Sequence, residues 1–433
     1  MTKNPKNSSL KIGFVSTRFA GTDGVSLETE KWAAVFERMG HTCFYFAGLC
    51  DRPAEVSYVV PNLFFHHPEM EALHAEAFNQ SIRSPRLTQQ IQDYKTTFKE
   101  HLQRFVKQFE INLLVAENAL SIPVNIPLGM AISEFIAETG FPVIAHHHDM
   151  YWERKRFLVN CVWDYLTMAF PPAFPSVKHV VINSVAGQQL SLRTGVSSRV
   201  VPNVMDFDIP PSPLDDYART LRWDLGLEDN EKLILQPTRV VQRKGIEHAI
   251  ELVSRLDIPA RLVISHAAGD EGREYEHRVR DYARRMGVKT LFVSDIIQEK
   301  RGTTADGRKV YTLFDVYPHA DLVTYPSEIE GFGNAFLEAI YFGRPILVNR
   351  YSIYEIDIKP KGFRVIEFDG FITEQSIQMA RRALLEPEFV EEMAKINYGV
   401  ARKHYSFSVL EMHLRALLTE IYGTNHQNGL PPA

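Results

Sequence analysis

The chain has 433 residues, of which 45% are hydrophobic and 23% are charged, and its formal net charge is −5. This length exceeds one ordinary hydrophobic core and predicts two or three domains of a soluble globular protein. The charge balance excludes general nucleic-acid binding, and three scattered cysteines exclude a disulfide framework and a thiolate metal site: Cys43, Cys50 and Cys161.

The first ten residues are polar and precede a strand-like run that begins at Lys11. They lack the apolar segment of a signal peptide. No part of the sequence approaches the ~18 continuous apolar residues of a membrane span. We therefore expect a cytoplasmic protein without a transmembrane helix.

Short apolar runs alternate with helical stretches through the first half of the chain. Strands separated by segments of helix length predict βαβ units and a parallel sheet. The predicted strands are Lys11–Ser16, Thr42–Ala47, Ile111–Ala116, Pro142–His146, Lys178–Ile182 and Ser198–Val201. The predicted helices between them include Leu27–Met39, Thr88–Phe109 and Ile126–Thr139.

The same alternation starts again after residue 230. Two consecutive doubly wound α/β domains explain it better than one very wide sheet, and the proline-rich segment Pro202–Pro213 is the candidate linker. The predicted strands of the second half are Glu231–Gln236, Ala260–Ser265, Thr290–Val293, Asp321–Thr324, Pro345–Val348 and Arg364–Glu367.

In an open parallel sheet, ligands bind on the loops that follow the carboxyl ends of the strands. The first strand is followed by the loop Thr17–Ser26, which contains Gly21 and Gly24. Glycines let the backbone approach a ligand closely, and the next helix offers free N–H groups to an anion. An ordinary βα turn is the alternative interpretation.

The fourth predicted strand runs into three consecutive histidines and an aspartate, His146 to Asp149. Consecutive strand residues point to opposite faces, so the three histidines cannot all bind one ion. No second cluster of ligands has matching spacing, and we therefore predict no metal. We expect a polar strand end that presents one histidine and one aspartate to a ligand, with a purely structural histidine as the alternative.

Two cations occupy the first loop of the second predicted domain. Arg239 and Lys244 lie between a strand and a helix, where a helix N-terminus also attracts anions. They predict a clamp for a diphosphate. A solvated basic turn is the alternative.

A second loop in this domain combines carboxylates with glycines. Glu330, Gly331 and Gly333 follow a predicted strand, and Glu338 lies about one and a half turns into the next helix. The glycines expose N–H groups that could hold phosphate or sugar oxygens, and a carboxylate in such a place typically accepts ribose hydroxyls. The two glutamates are too far apart to predict a close acid–base pair.

Taken in order, these motifs resemble the retaining glycosyltransferases of the family 4 type, which have the GT-B fold. The resemblance covers nearly the whole chain. Its sharpest motif is E-x7-E, here Glu330 to Glu338. The others are the Arg239 and Lys244 pair, the glycine-rich first loop, His148 with Asp149, and Val201–Asp206, which is similar to the family's interdomain V-P-N-G-V-D with Val204 in place of glycine.

The resemblance implies two Rossmann-like doubly wound domains that face each other across a central cleft. Residues 1–205 plus 405–433 would form the N-terminal, acceptor-side domain, and residues 206–404 the nucleotide-sugar-binding domain. The last helix, about Phe407–Tyr422, would return to the first domain. Asp206 and Asp208 would then lie in the linker and would not form a metal-binding D-x-D motif.

The resemblance also implies roles for the singled-out residues. Arg239 and Lys244 would neutralise the donor diphosphate, and Glu338 would bind the ribose hydroxyls. His148 would contact the transferred sugar, and His146 is the competing choice for the family's histidine. The remaining donor-side residues would be Gly24 beside the donor phosphates, and Glu330 with the backbone of Gly331, Phe332 and Gly333 around the sugar.

Enzymes of this type are thought to let the leaving phosphate take the proton of the acceptor. The resemblance therefore implies a retaining hexosyltransferase with a nucleotide sugar as co-substrate, no cofactor and no metal. Preorganised cations and N–H donors would stabilise the charge that develops on the leaving diphosphate. A glycosidase would instead need two carboxylates about 5–9.5 Å apart.

The basic residues after the histidines bear on the acceptor. Arg154, Lys155 and Arg156 could attract a small anionic acceptor, and the segment from Ala145 to Phe157 resembles enzymes that make glycosylglycerate solutes. We expect UDP-glucose or GDP-mannose as the donor. The candidate acceptor-side residues are His146, Asp149, Arg154 and Arg156.

Other functions remain open at this point. Basic amphipathic stretches, Arg83–Lys107 and Trp152–Phe157, are compatible with a peripheral membrane enzyme that uses a lipid-linked or glycan acceptor. Their mixed charge is more typical of a solvated helix face, so membrane contact is not favoured. A sugar-nucleotide epimerase or a phosphorylase shares the scaffold, and an inactive binding module would not need the four charged donor-side residues.

Overall fold

The computed structural model describes residues 9–21, 23–268 and 272–423. They divide into two compact units. Unit 1 contains the described residues up to 203 and those from 407 onward, and unit 2 contains residues 204–406. In the described part of the chain, no helix is long and apolar enough to cross a lipid bilayer.

Unit 1 alternates strands and helices. Its strands are β1 (Lys11–Val15), β2 (Arg18–Phe19), β3 (Thr42–Ala47), β4 (Leu49–Cys50), β5 (Ser57–Val59), β6 (Leu113–Glu117), β7 (Val143–His147), β8 (Val177–Val181) and β9 (Ser198–Val200). Its helices in chain order are α1 (Gly24–Arg38), α2 (Pro68–Ala77), α3 (Pro85–Phe109), α4 (Ile126–Thr139), α5 (Trp163–Ala169) and α6 (Ser184–Thr194).

Unit 2 repeats the alternation. Its strands are β10 (Lys232–Gln236), β11 (Ala260–Ile264), β12 (Thr290–Phe292), β13 (Gly302–Thr303), β14 (Lys309–Val310), β15 (Leu322–Tyr325), β16 (Ile346–Asn349) and β17 (Ile366–Phe368). Its helices are α7 (Leu221–Asp224), α8 (Ile246–Arg255), α9 (Glu274–Arg285), α10 (Leu313–Val316), α11 (Asn334–Tyr341), α12 (Glu374–Leu385) and α13 (Pro387–Tyr405). The last helix of the chain, α14 (Phe407–Tyr422), belongs to unit 1.

Each unit is built on a parallel sheet. The seven-stranded sheet of unit 1 has the order β5-β3-β1-β6-β7-β8-β9, and the six-stranded sheet of unit 2 has the order β12-β11-β10-β15-β16-β17. In both sheets the first strands of the chain are added successively toward one edge. The chain then crosses back, and the later strands are added toward the other edge. The order therefore reverses between β1 and β6 in unit 1 and between β10 and β15 in unit 2. Such a reversal leaves a crevice beyond the strand ends, where ligands bind in doubly wound sheets.

Burial explains why the central strands form. All five residues of β6 and all five residues of β7 are buried, as expected for strands covered on both faces. Helix α1 begins at the first crevice because Asp23 caps it, accepting bonds from the N–H groups of Val25 and Ser26. The chain therefore turns from strand to helix directly above the reversal point of the sheet.

Helix α14 is anchored on unit 1 at both ends. Its first residue, Phe407, lies under the guanidinium of Arg38, 5.0 Å from the ring centre. Near its other end the Tyr422 hydroxyl donates to the carbonyl of Asn112 over 2.9 Å. The C-terminal helix is thereby part of the N-terminal unit.

The strands predicted from the sequence for the two main sheets are present, with ends shifted by up to two residues. The predicted strand Ile111–Ala116 is Leu113–Glu117, so its carboxyl end lies at a glutamate. The edge strand Ser57–Val59 and the antiparallel pair β13 and β14 were missed. These strands have only two or three residues, which is too short for a periodic pattern to be visible.

Candidate active site

In unit 2 two loops meet at the reversal point of the sheet. Strands β10 and β15 are parallel neighbours, with Ile234 opposite Leu322, so their carboxyl ends lie at one edge. The side chain of Gln236 ties the two ends together. Its amide oxygen accepts from the hydroxyl of Thr324 over 2.7 Å, and its amide nitrogen donates to the hydroxyl of Thr238 over 2.7 Å.

The predicted clamp residue Lys244 is paired with the predicted sugar-binding residue Glu330. The Lys244 ammonium donates to the Glu330 carboxylate, and Arg243 lies 3.5 Å from the same carboxylate. The backbone strengthens this junction, because the N–H of Glu328 donates to the carbonyl of Arg243 over 2.9 Å. These contacts hold the loop that contains Arg243 and Lys244 against the loop that contains Glu328 and Glu330.

The charges of this pair influence each other. Burial and the neighbouring cations hold the pKa of Lys244 below its usual value, although Glu330 acts in the opposite direction. Burial acts to raise the pKa of Glu330, but Lys244, Ser327 and Arg243 together outweigh it and the pKa of that carboxyl is lowered. The lowered pKa leaves Glu330 ionised at neutral pH. Arg239, the other clamp residue, is exposed in the same loop.

Close packing explains the glycine at the start of helix α11. Gly333 has φ +119°, and a β-carbon there would lie 2.7 Å from the Tyr351 hydroxyl and 3.1 Å from the Tyr325 hydroxyl. The Tyr351 hydroxyl donates to the carbonyl of Phe332 over 2.7 Å. The two tyrosines therefore fix the backbone of Gly331 to Gly333 beside Glu330.

The two glutamates of the E-x7-E spacing have separate partners. Glu338, the fifth residue of α11, accepts a hydrogen bond from the buried hydroxyl of Tyr317 over 2.7 Å. Glu330 is held by Lys244. The expectation that the pair does not form a close acid–base dyad agrees with these partners.

A histidine that follows the neighbouring strand is not predicted from the sequence. His266 follows β11, and its Nδ1 lies 2.7 Å from the Ser265 hydroxyl. Burial and the charges of Arg239 and Lys244 lower the pKa of His266 to about 4. A neutral imidazole therefore lies next to the clamp. The signal that could have found it was its position directly after a buried strand in a loop that precedes a helix.

In unit 1 a buried carboxylate lies at the ends of β6 and β7. Glu117 is fully buried, and one of its carboxylate oxygens, Oε2, is 2.9 Å from His146 Nδ1 and 3.0 Å from His148 Nε2. Glu117 is not predicted from the sequence, because it is a single acidic residue at the end of an otherwise apolar strand. An ionised carboxylate is retained in such a place only when it is paired.

The three histidines divide as strand geometry requires. His146 and His148 share one face with Glu117, whereas His147 points the other way and pairs with His179 over 2.9 Å. His146 is fully buried and stacked on Trp32, with ring centres 4.2 Å apart. His148 keeps 7% of its side-chain surface exposed. Of the two candidate histidines, His148 is thus the one that a ligand can reach.

The electrostatics of these two histidines differ. Burial acts to lower the pKa of His148, but the hydrogen bond to Glu117 and the negative charges of Glu117, Glu28 and Asp149 together outweigh burial, and the pKa is raised. Burial lowers the pKa of His146 despite the same carboxylate, because His146 is more enclosed and His148 adds a positive charge. His148 can therefore carry the proton of this cluster, with Nδ1–H as a donor to a ligand.

Glu117, His146 and His148 also have the composition of a metal site. Their ligand atoms all lie within 4.8 Å of one another. The spacing of neighbouring histidines alone indicates no metal site, because it does not include a carboxylate brought in by another strand. The contact of Glu117 Oε2 with His148 Nε2 is a hydrogen bond of ordinary length, 3.0 Å. His146 Nδ1 lies 2.9 Å from the same oxygen but makes no hydrogen bond to a described residue. The absence of a metal stays a prediction.

A strained residue connects the two strand ends. Asn118 has φ +57°, which is rare for a residue with a side chain. Its amide oxygen accepts from the N–H of His148 over 2.9 Å and from the hydroxyl of Ser121 over 2.8 Å. Backbone strain of this kind concentrates at ligand sites, where the surrounding structure enforces it.

Next to this cluster, unit 1 contains a cavity of about 170 Å³. It lies at the reversal point of the sheet, between the loop after β1 and the loop after β6. Of the predicted acceptor-side residues, Asp149 and Arg156 line it, whereas Arg154 pairs with Asp149 over 2.7 Å. A β-carbon on Gly24 would meet no described atom within 4 Å, so the space beside the first turn of α1 is open.

Comparisons with known proteins identify the family of the chain. Residues 218–395 match the family model of the glycosyl transferases group 1. A mannosylglucosylglycerate synthase of Thermotoga maritima is 31% identical over 93% of this chain and 98% of the relative. A mannosylglucosylglycerate synthase of Petrotoga mobilis is 30% identical over 82% of this chain and 86% of the relative.

Solved structures provide an independent comparison of the fold. Anabaena Alr3699/HepE, solved in complex with UDP-glucose, superimposes with a TM-score of 0.63 at 14% identity, covering 95% of this chain and 99% of that chain. The likeness confirms the predicted α/β, GT-B fold. The chain belongs to the glycosyltransferases, in the same family as the mannosylglucosylglycerate synthases it resembles.

Proposed function

We propose that the chain transfers a hexosyl group from a nucleotide sugar to a glycerate-type acceptor, with retention of configuration. The names of its two relatives describe a product with mannosyl, glucosyl and glycerate parts. A GDP-mannose-type donor and a glucosylglycerate-type acceptor are therefore the first pair to test, followed by UDP-glucose. The observation that carries the proposal is the junction of Lys244 and Glu330 at the reversal point of unit 2.

Unit 2 supplies the groups that suit a nucleotide sugar. Arg239 and Lys244 are the cations for the diphosphate, and the N–H groups of Gly331 to Gly333 are donors at the start of a helix. Glu338 would bind the ribose hydroxyls from a position fixed by Tyr317. Glu330 would bind hydroxyls of the transferred hexose, and its pairing with Lys244 keeps it ionised as an acceptor.

Unit 1 supplies the groups that suit the sugar and the acceptor. His148, held by Glu117, would donate from Nδ1 to a hydroxyl of the hexose. Gly24 leaves room for the donor phosphates beside the N-terminus of α1. Asp149 and Arg156 line the cavity in which the acceptor would bind.

The reaction balances without a protein base. The bond between C1 of the hexose and the phosphate oxygen breaks while a bond from C1 to the acceptor oxygen forms on the same face. The proton of the acceptor hydroxyl passes to the leaving phosphate oxygen. Negative charge accumulates on the diphosphate, and preorganised cations stabilise such charge by several kcal/mol. No metal and no cofactor takes part in this scheme.

The decisive experiment crosses two donors with several acceptors. Purified protein is incubated with GDP-mannose or UDP-glucose and with D-glycerate, glucosylglycerate or a lipid-linked acceptor. Mass spectrometry should detect a hexosylated glucosylglycerate. NMR of the new anomeric signal should show the configuration of the donor.

Three results would contradict the proposal. Transfer to the lipid-linked acceptor alone would favour the peripheral membrane enzyme, and conversion of the nucleotide sugar to an epimer without any acceptor would favour an epimerase. An inverted anomeric signal would contradict retention. The variant Glu330→Gln is the matched control for background hydrolysis, because it keeps the size of the side chain and removes its charge.

A further inference from the structure

The cavity of unit 1 contains an arginine that the proposed function does not use. Arg18 lines it, together with Arg156 from the loop after β7. Arg18 lies on the short strand β2, where it pairs with Leu49 of β4 and precedes the fully buried Phe19. Its backbone is therefore fixed, and its side chain enters the cavity from a defined point.

The guanidinium of Arg18 is positioned on two sides. Its Nη2 lies 3.0 Å from Asp23 Oδ2, and its Cζ lies 5.4 Å from the ring centre of Phe65. Asp23 is itself held as the cap of α1, with Oδ2 accepting from the Ser26 hydroxyl over 2.6 Å. A guanidinium has five N–H donors, so one contact with Asp23 orients Arg18 without using up its capacity.

The second arginine approaches from another loop. Arg156 lies over the ring of the fully buried Phe157, with its Cζ 4.7 Å from the ring centre. Two arginines from separate segments of the chain thus reach one small cavity. Guanidinium groups are well suited to bind the planar oxygens of a carboxylate in pairs.

The rest of the lining combines a polar and an apolar side. Ser16, Thr17 and Asn118 are buried polar residues that could bind hydroxyl groups. The apolar part excludes water and strengthens charged contacts, and it consists of Val25, Phe65, Ala119, Ile122 and Val124. At about 170 Å³ the cavity is several times the roughly 30 Å³ that a water molecule occupies in the liquid.

The charges around the cavity favour a ligand with one negative charge. Three carboxylates line it: Asp23, Glu117 and Asp149. The cations that line the cavity or bind these carboxylates are Arg18, Arg154 and Arg156. They equal the three carboxylates in number. A carboxylate ligand adds one negative charge beside the two lining guanidinium groups, whereas a dianionic phosphate would add two beside three acidic groups.

We infer that this cavity binds the carboxylate end of the acceptor, with Arg18 and Arg156 as the residues that recognise its charge. The inference rests on the proposed function for the identity of the acceptor. It adds a binding site and a specificity: the glycerate carboxylate enters the cavity, and the glycosyl part of the acceptor extends out of it. Arg18 then determines which acceptor is used. A role in donor binding or a purely structural role would not give Arg18 this effect.

The test compares two acceptors that differ only in the carboxylate. Glucosylglycerate is the charged acceptor, and glucosylglycerol, with a hydroxymethyl group in place of the carboxylate, is the neutral one. Arg18→Gln and Arg156→Gln should each lower kcat/KM for glucosylglycerate by about 10- to 100-fold. They should change kcat/KM for glucosylglycerol by less than about threefold, because this neutral acceptor has no carboxylate that could pair with the arginines.

Arg415→Gln is the matched control. Arg415 is an exposed arginine of α14 in the same unit that bonds to Glu411 and does not line the cavity, so the same change of charge should leave kcat/KM for both acceptors unaffected. Arg18→Lys keeps the charge without the paired donors and should give an intermediate loss on glucosylglycerate alone. Equal losses on both acceptors, or a loss confined to the donor KM, would overturn the inference.

A binding measurement separates this inference from the proposed function. Glucosylglycerate is titrated by calorimetry into the wild-type protein and Arg18→Gln, each saturated with a nucleoside diphosphate. Binding that Arg18→Gln abolishes supports the cavity even if no transfer occurs, in which case the proposed function alone fails. Transfer with an unchanged preference for the carboxylate in both arginine variants overturns the cavity and leaves the function standing. A 3-phosphoglycerate-bearing acceptor that competes better than glucosylglycerate would also overturn it.

Discussion

The two units share the same reversal of strand order but carry different kinds of residues at it. Each sheet reverses its strand order once, between β1 and β6 in unit 1 and between β10 and β15 in unit 2. In unit 2 the crevice carries cations and glycines, with Glu330 held by Lys244. In unit 1 it carries a fully buried carboxylate, Glu117, with two histidines around it.

On the proposed function, this difference would follow from what each crevice binds. A diphosphate carries several charges, for which unit 2 presents cations and N–H groups around one oriented carboxylate. A neutral sugar and a monoanionic acceptor would need directed hydrogen bonds. A histidine whose pKa is raised by a buried glutamate can donate such a bond. One architecture therefore holds two kinds of site because the residues on its loops differ.

The largest expected effect concerns the cationic crevice. Arg239→Ala should lower kcat/KM by about 100- to 1,000-fold, because it removes a charge that stabilises the leaving diphosphate. Because Arg239 is exposed, the melting temperature of the variant should equal that of the wild type. Steady-state kinetics and thermal unfolding check both statements.

Arg284→Ala is the control for that experiment, because Arg284 is an exposed residue of α9 whose hydrogen bond goes to Asp281. It should keep full activity. Arg239→Ala with turnover near that of the wild type would remove Arg239 from the clamp. Lys244→Ala should lower both activity and stability, because it leaves Glu330 buried without its partner, at a cost of about 3–5 kcal/mol.

The second prediction tests the buried carboxylate. Glu117→Gln should lower the free energy of unfolding by about 1–3 kcal/mol, since the histidines lose their charged partner. Glu117 holds the pKa of His148 above its usual value, so activity that needs protonated His148 is present at lower pH and disappears as the pH rises through that pKa. In Glu117→Gln this alkaline loss should move to lower pH.

A pH–rate profile of kcat/KM distinguishes positioning from simple destabilisation. Glu117→Asp should recover part of the alkaline limb, because it restores the negative charge. The charged groups that act on His148 besides Glu117 are Glu28 and Asp149, and both remain in these variants. A uniform loss of activity at every pH, with an unmoved alkaline limb, would show that Glu117 has only a structural role.

The third prediction concerns histidines that burial keeps neutral. Burial with the nearby Arg156 lowers the pKa of His74 to about 4, and burial lowers that of His179 to about 4. In unit 2, burial with nearby cations does the same to His266. Their folded pKa lies below the unfolded value of 6.5. Their contribution to stability is therefore complete above pH 6.5 and falls as the pH drops toward 4, by up to about 3 kcal/mol each.

Unit 1 should lose more stability in acid than unit 2, because the pKa of buried His147 is lowered as well. Hydrogen exchange followed by mass spectrometry at pH 5 and pH 7 measures protection in each unit separately. We expect the larger loss of protection in peptides of the β6–β8 region. His179→Gln should reduce that loss. Greater acid sensitivity of the unit 2 peptides would contradict this account of the two units.

The smallest expected effect is that of chelation. Glu117, His146 and His148 could together provide three metal ligands, but the contact between Glu117 and His148 is a hydrogen bond. Activity should therefore survive prolonged treatment with EDTA. Complete loss that a single divalent ion restores would mean that the crevice of unit 1 is a metal site. Manganese and zinc titrations of the EDTA-treated protein identify the ion in that case.

The sequence predicts the crevice of unit 2 better than that of unit 1, for a physical reason. Arg239 to Lys244 lie on one loop after an apolar strand, and Glu330 to Glu338 lie on the loop after another apolar strand and in the helix that follows it. Spacing alone therefore places both segments at the strand ends. The alternation of apolar strands and helices likewise predicts the two doubly wound sheets. These features depend on neighbours in the sequence.

The contacts that complete each crevice come from distant segments. Glu117 meets His148 because β6 and β7 are adjacent in the sheet, 31 residues apart in the chain. Tyr317, which directly follows α10, meets Glu338 of α11 although the two residues are 21 positions apart in the chain. A single glutamate at the end of an apolar strand has no periodic signal, and its role becomes visible when the strand next to it is known.

One crystal structure would test the central claim that the two crevices divide donor and acceptor between them. The protein is crystallised with GDP or UDP and with glucosylglycerate. We predict that the diphosphate contacts Arg239 and Lys244. The glycerate carboxylate should lie between Arg18 and Arg156. His148 Nδ1 should contact neither of these two groups. A carboxylate bound at the cations of unit 2, or a diphosphate in the cavity of unit 1, would contradict the account.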